Sequence, residues 1–184
     1  MFDSSLITYA VSLHFTQKEN EIFISILQAI ADETGNSFMI ENKIPPHITI
    51  GAFHAAREEE AKLLQLIENF AQGQKAGTVQ FKVVGNFNGK VLFLKPEKNL
   101  FLSKINNALH TLLLPEFKKA ENGYYLPDIW FPHTTLATRL NQNQFSAAKE
   151  IAKQISLPLE AAIEELAVYQ CSPFLELKKF GLGR

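Results

Sequence analysis

Two pentapeptides, Pro46-His47-Ile48-Thr49-Ile50 and Pro132-His133-Thr134-Thr135-Leu136, repeat the pattern Pro-His-x-Thr-aliphatic at a spacing of 86 residues in a chain of 184. A repeat offset by close to half the chain predicts two lobes of similar build, each an α/β unit, related by an approximate two-fold axis. Strands paired across that axis bring the two copies face to face. Each copy is also followed by a helical pattern of similar length.

The rest of the chain supports this reading. Residues 7–15 alternate, with Tyr9, Val11, Leu13 and Phe15 on one face and Ala10, Ser12 and His14 on the other, which predicts a strand. Apolar residues at helical spacing predict a helix over 18–33, stopped by Gly35-Asn36. After Pro45-Pro46 comes a strand over 47–53. A helix over 55–71 follows, with Arg57-Glu58-Glu59-Glu60 as an acidic first turn that suits the helix dipole. Strands over 78–87 and 90–94 flank Asn88-Gly89, a strong hairpin signal. A third helix over 99–114 ends at Pro115, and residues 118–128 read as loop. A strand over 129–136, a helix over 143–155 and strands over 162–169 and 174–180 complete the chain. No low-complexity linker interrupts it, so residues 1–184 are expected to form one domain of mixed α/β (α+β) class with two lobes.

Composition narrows the partners. With 46% hydrophobic and 20% charged residues the chain can bury a sizeable core. Lys and Arg total 18 against 19 Asp and Glu, a net charge of -1, which argues against a long nucleic acid held along a basic track. A small or single-ended phosphate ligand stays compatible. The one cysteine, Cys171, excludes an intrachain disulfide and a multi-cysteine zinc site, and reads as a buried small side chain. Residues Met1 to Leu6 lack the pattern of a secretory signal, and no apolar stretch has the length of a membrane span; a cytoplasmic setting without membrane contact is expected.

Side chains alternate along a strand, so His47 and Thr49 share one face while Ile48 and Ile50 enter the core, and His133 and Thr135 repeat the arrangement. Two imidazoles and two hydroxyls in one cleft suit attack at phosphorus. One neutral ring takes a proton while a protonated partner gives one, and the threonines donate to the non-bridging oxygens. The scheme needs no metal. Neither motif carries a second ligand at metal spacing, and the His-Glu-x-x-His pattern is absent. No cofactor is expected.

The paired motifs and the strand-helix order around them, from Tyr9-Ala10-Val11 through Val91-Leu92-Phe93-Leu94 to the final strands, resemble the two-histidine (2H) phosphoesterase superfamily. That group includes the bacterial 2′-5′ RNA ligase-like and 2′,3′-cyclic nucleotide phosphodiesterase proteins. The resemblance implies a bilobal fold with antiparallel sheets lining a central cleft and helices outside. It also implies metal-independent opening of 2′,3′-cyclic phosphates to 2′-phosphates, or related chemistry at 2′-5′ linkages, on a nucleotide or short RNA end. By the same resemblance His47, Thr49, His133 and Thr135 are the catalytic set, with His133 the base and His47 the acid. Two departures stand out. Members often have Arg before the first Pro-His, where this chain has Pro45, and many have Arg two residues after the second motif, where it has Thr138 with Arg139 next. A binding module on the same fold, recognising a nucleotide or RNA terminus without turnover, is the alternative.

Other residues are candidates for substrate contact. Tyr124, Tyr125, Trp130 and Phe131 precede the second motif and are suited to stacking on a base, although strand parity assigns Trp130 to packing. Base contact and packing are evenly matched for Tyr124 and Tyr125. Phe53 shares the parity of His47 and Thr49 and is expected to wall the cleft. Lys90 and Arg139 are candidate phosphate contacts. Ser12 and His14 belong at the cleft floor, His14 as a hydrogen-bonded structural residue, and His54 and His110 receive no role.

Overall fold

A computed structural model describes residues 6–183; Met1 to Ser5, read above for a signal, lie outside the described residues. The elements in chain order are β1 (Leu6–Phe15), α1 (Gln17–Thr34), α2 (Phe38–Glu41), β2 (His47–Ala56), α3 (Glu60–Gly73), β3 (Gly77–Phe87), β4 (Val91–Pro96), α4 (Leu100–Leu113), β5 (Lys118–Lys119), β6 (Thr134–Ala137), α5 (Gln142–Ala152), β7 (Leu159–Cys171) and β8 (Phe174–Gly181). Local signals account for several boundaries. Gly35 closes α1 in the left-handed conformation at φ 67°, its N–H donating to the Ala31 carbonyl. Asn88 and Gly89, at φ 50° and 66°, make the tight turn between β3 and β4 that the dipeptide predicts.

All strand pairs within the sheet are antiparallel, in the order β5-β2-β1-β7-β3-β4-β6, with β8 also on β7. The 13-residue β7 joins the two halves. Its first residues pair with β3 and its later ones with β8, while β1 takes the other edge. The repeat is visible as β1–α1–β2–α3 and β4–α4–β6–α5, each an antiparallel strand pair bridged by a helix and followed by another. The bridging helices pack on the opposite copy: α1 lies against β6 and α5, and α4 against β2. The two lobes therefore share one core, which contains Tyr9, Val11, Leu13, Ile48, Ile50, Leu94, Leu109 and Leu136.

Three expectations change. The segment 129–136 is a strand only from Thr134; Ile129 and Trp130 instead donate their N–H groups to the Leu126 carbonyl, and Pro132 has none to give a ladder. The helix expected over 55–71 begins at Glu60, because β2 runs on to Ala56 and Arg57–Glu59 forms a 3-10 turn. The loop over 118–128 includes the short β5, paired with β2. Among the described residues no helix is long and apolar enough to cross a membrane.

Candidate active site

The first motif lies on β2 beside β1, with Ser12 opposite Thr49 and His14 opposite His47. Ile48 and Ile50 are fully buried, as the alternation requires. The register then slips, because Val11 pairs with Gly51 and Ile50 is left over as a bulge. An extra residue inverts the phase of everything beyond it. Phe53 therefore turns into the core with no exposed surface, its ring 5.3 Å from that of His110, and does not wall the cleft as strand parity predicted. Ala52 and His54, opposite Ala10 and Thr8, continue the face of His47 instead. Gly51 is needed at the bulge: a Cβ there would meet Phe53 at 2.7 Å and Leu109 at 2.9 Å.

The second motif enters β6 beside β4, where Phe93 is opposite Thr135. His133 stands one residue ahead of the strand. Both imidazoles are nonetheless anchored identically. Nδ1 of His47 lies 2.7 Å from the Pro45 carbonyl, and Nδ1 of His133 lies 2.9 Å from the Phe131 carbonyl, in each case two residues back. A carbonyl only accepts, so Nδ1 carries the proton and Nε2 of each ring is left for chemistry. Burial lowers the pKa of both rings, and the charge of His133 lowers that of His47 further, so the two titrate within reach of one another.

Thr49 ties the motifs together. Its hydroxyl is 3.2 Å from that of Ser12, its carbonyl accepts the Trp130 indole N–H at 3.0 Å, and its side chain meets the Tyr125 phenol. Trp130 is thus a packing residue, as expected, although through a loop and not a strand. Tyr125 is half-buried and Tyr124 is exposed, and both line a cleft of about 540 Å³ with Phe87, Ile129, Phe131 and His133. Phe87, Phe93 and Phe131 surround the His133 ring, with centroids 5.1, 5.3 and 6.3 Å away. Phe87 and Phe93 were missed by sequence reasoning. They come from both strands of the hairpin, 4.4 Å apart, and only its register reveals that they meet.

Neither candidate cation lines the cleft beside His133. Lys90 sits exposed at the hairpin turn, and the cleft lining includes its neighbour Asn88 but not Lys90. Arg139, at φ 59°, places its guanidinium 3.9 Å from the Phe38 ring centroid. His14 is buried, with its ring 6.1 Å from His47 and nearly parallel to it. The Tyr169 hydroxyl donates to Glu176 at 2.9 Å, so His14 Nε2–H donates to Tyr169 at 3.0 Å. Burial foremost, then the nearby His47, lowers the His14 pKa to about 3. Among the described residues no three His, Cys, Asp or Glu side chains gather as a metal site requires.

Solved structures with this arrangement of elements include E. coli LigT complexed with phosphate, 16% identical with a TM-score of 0.60, covering 98% of this chain and 100% of that one. LigT complexed with 3′-AMP is 16% identical with a TM-score of 0.65 over 97% of this chain and 99% of that one. TT0787 of Thermus thermophilus is 18% identical with a TM-score of 0.60 over 97% of this chain and 100% of that one. These likenesses establish the fold. No curated protein matches in sequence. The 2′-5′ RNA ligase superfamily matches residues 26–172, a span that holds both His-x-Thr motifs, and the chain therefore belongs to this superfamily of 2H phosphoesterases.

Proposed function

We propose that the protein is a metal-independent phosphodiesterase that opens a 2′,3′-cyclic phosphate to a 2′-phosphate, or cleaves a 2′-5′ phosphodiester, at a nucleotide or RNA end. The observation that carries this reading is the duplicated anchoring of His47 and His133 through Nδ1, which leaves an Nε2 on each ring for proton transfer. In the cyclic case the neutral Nε2 of one ring takes a proton from water as its oxygen bonds to phosphorus. The protonated Nε2 of the other gives a proton to O3′ as the P–O3′ bond breaks, and the 2′-phosphate remains. Each transfer is worth roughly 10²–10⁴-fold. Thr49 and Thr135 donate to the non-bridging oxygens, where charge must be held.

LigT, which shares the fold, has been crystallised with phosphate, 3′-AMP and ATP, which supports a nucleotide-type ligand here. A chain with one cysteine and no intrachain disulfide suits a cytoplasmic setting. The seating of Arg139 on Phe38 favours one second reading, a module that binds the same terminus without turnover.

The test is hydrolysis of 2′,3′-cyclic nucleotides in EDTA, beside titration with a nucleoside 2′-monophosphate. Turnover that falls by orders of magnitude in both His47→Ala and His133→Ala, in folded protein, supports the mechanism. Binding without turnover selects the second reading. Inactivity on cyclic mononucleotides, cyclic-ended oligonucleotides and 2′-5′ oligoadenylates alike overturns the enzymatic reading.

A further inference from the structure

The two lobes differ in what stands beside each motif. In the first, Ser12 and His14 lie opposite Thr49 and His47. In the second, Phe93 lies opposite Thr135, and the next residue on that face of β4 is Lys95. By count along β4, Lys95 corresponds to His14 of the first lobe, although the pairing of β4 with β6 ends at Leu94 and Thr134. It is exposed, and its Nζ rests 4.7 Å from the centroid of Phe131, the ring whose centroid is 6.3 Å from that of His133.

Trp130 and Phe131 form a ridge between two concavities. On one side is the 540 Å³ cleft that contains His133. On the other is a larger hollow of about 600 Å³, whose lining includes Lys95, Lys98, Ser103, Asn107 and Pro132. Its one carboxylate, Glu97, is paired with Lys82 at 2.8 Å, so Lys95 and Lys98 leave the hollow positive in a chain whose net charge is -1. The start of α4 borders the hollow, but the Asn99 side chain already accepts from the N–H groups of Phe101 and Leu102. Among the described residues, the two lysines are thus the free charges the hollow offers an anion.

We propose that this hollow binds a second phosphate of the substrate, the one on O5′ of the nucleotide whose 2′,3′ end is processed. The inference rests on the function proposed above and deepens it: the preferred substrate is the 3′ terminus of an oligonucleotide, or a 5′-phosphorylated nucleotide, over a cyclic nucleoside monophosphate. A nucleotide bridging the ridge puts its terminal phosphate at the His-x-Thr pair and its 5′-phosphate beside Lys95 and Lys98. Phe131, between the two, is free to pack on the sugar or base.

Trp130, the chain's one tryptophan, lines both concavities and reports binding without turnover. The experiment titrates the full chain with adenosine 2′-monophosphate and with adenosine 2′,5′-bisphosphate, two ligands that differ only in the 5′-phosphate, and follows the indole fluorescence. The expected result is a Kd at least about tenfold lower for the bisphosphate, a ratio that approaches one in Lys95→Gln/Lys98→Gln. The affinity for the bisphosphate should fall more steeply with salt than that for the monophosphate, because its additional charges are screened. Equal affinity for the two ligands overturns the inference alone, as does a ratio that survives in the double variant. Failure of both ligands to bind overturns it together with the function on which it rests.

Discussion

Gly85 offers a direct test of how His133 is positioned. A Cβ at this residue of β3 would lie 2.4 and 2.6 Å from two atoms of the Phe93 ring, where carbon contacts normally sit at about 3.5 Å or more. In Gly85→Ala the ring must therefore retreat by roughly 1 Å. It has little room, since Phe93 is buried with Phe87 centred 4.4 Å away and Phe131 5.6 Å away. Overpacking of this kind costs about 1–3 kcal/mol. At roughly 2–4 °C per kcal/mol for a chain of this size, the melting temperature should fall by several degrees. Because the same ring borders His133 at 5.3 Å, a displacement of that order should also lower kcat/KM by about 10²-fold. The assay pairs thermal melting with cyclic-nucleotide turnover. Gly181→Ala is the control, since nothing lies within 4 Å of a Cβ there, and Phe93→Leu in the Gly85→Ala background should restore part of both losses. Wild-type melting would refute the packing of Phe93 over Gly85. Reduced stability with unchanged turnover would refute the idea that the aromatic cluster positions His133.

Two further predictions follow from groups already described. Burial lowers the pKa of His47 and His133 below 6.5, and the working form has one proton on the pair, so its population peaks midway between the two values. The kcat/KM profile of the free enzyme should thus be bell-shaped with its maximum below pH 6.5, each further pH unit above the higher pKa costing about tenfold; a maximum above pH 7 contradicts the lowered values. Thr134 occupies the variable position of the second motif, and its hydroxyl is buried without a partner among the described residues. Thr134→Val removes an unsatisfied polar group at constant shape and should stabilise the fold by about 1 kcal/mol in urea unfolding, whereas destabilisation would mean that the hydroxyl has a partner.

Strand β1 was legible because it is bound on both edges and one face is core, so that Tyr9, Val11, Leu13 and Phe15 record burial directly. The paired His-x-Thr motifs were legible as a repeat because duplication needs no register to be seen, and both copies carry the same Nδ1 anchor. Phe53 was misplaced because counting by twos assumes an unbroken ladder, and the bulge at Ile50 is a property of the pairing between β1 and β2. Its local sign was Gly51, which the counting passed over. The lead-in from Ile129 to His133 has β-type residues, but the N–H groups of Ile129 and Trp130 are already committed to a turn on Leu126, and Pro132 has none to offer. Arg139 looked available to a phosphate until a left-handed backbone turned it onto Phe38.

What the two lobes kept and what they changed follow different demands. The Nδ1 anchor two residues back and the threonine beside it are the same in both copies. In-line displacement at phosphorus treats its attacking and leaving oxygens nearly alike, so a pseudo-symmetric pair of imidazoles suits it. The surroundings are not alike. His47 has Ser12, His14 and the chain through Tyr169 to Glu176, whereas His133 has Phe87, Phe93 and Phe131, with Lys95 resting on the last ring. A nucleotide substrate is itself asymmetric, carrying its base and sugar on one side of the reacting phosphorus and meeting water on the other. On the proposed reading, the apolar and cationic lobe faces the nucleoside and its 5′-phosphate and the polar lobe faces water, which gives His133 the O3′ side and the acid role and His47 the base role, the reverse of the order implied by the resemblance. The two changes expected at Lys95 and Gly85 are then separable: loss of the lysine alters which nucleotides bind, whereas displacement of Phe93 alters how fast any of them reacts.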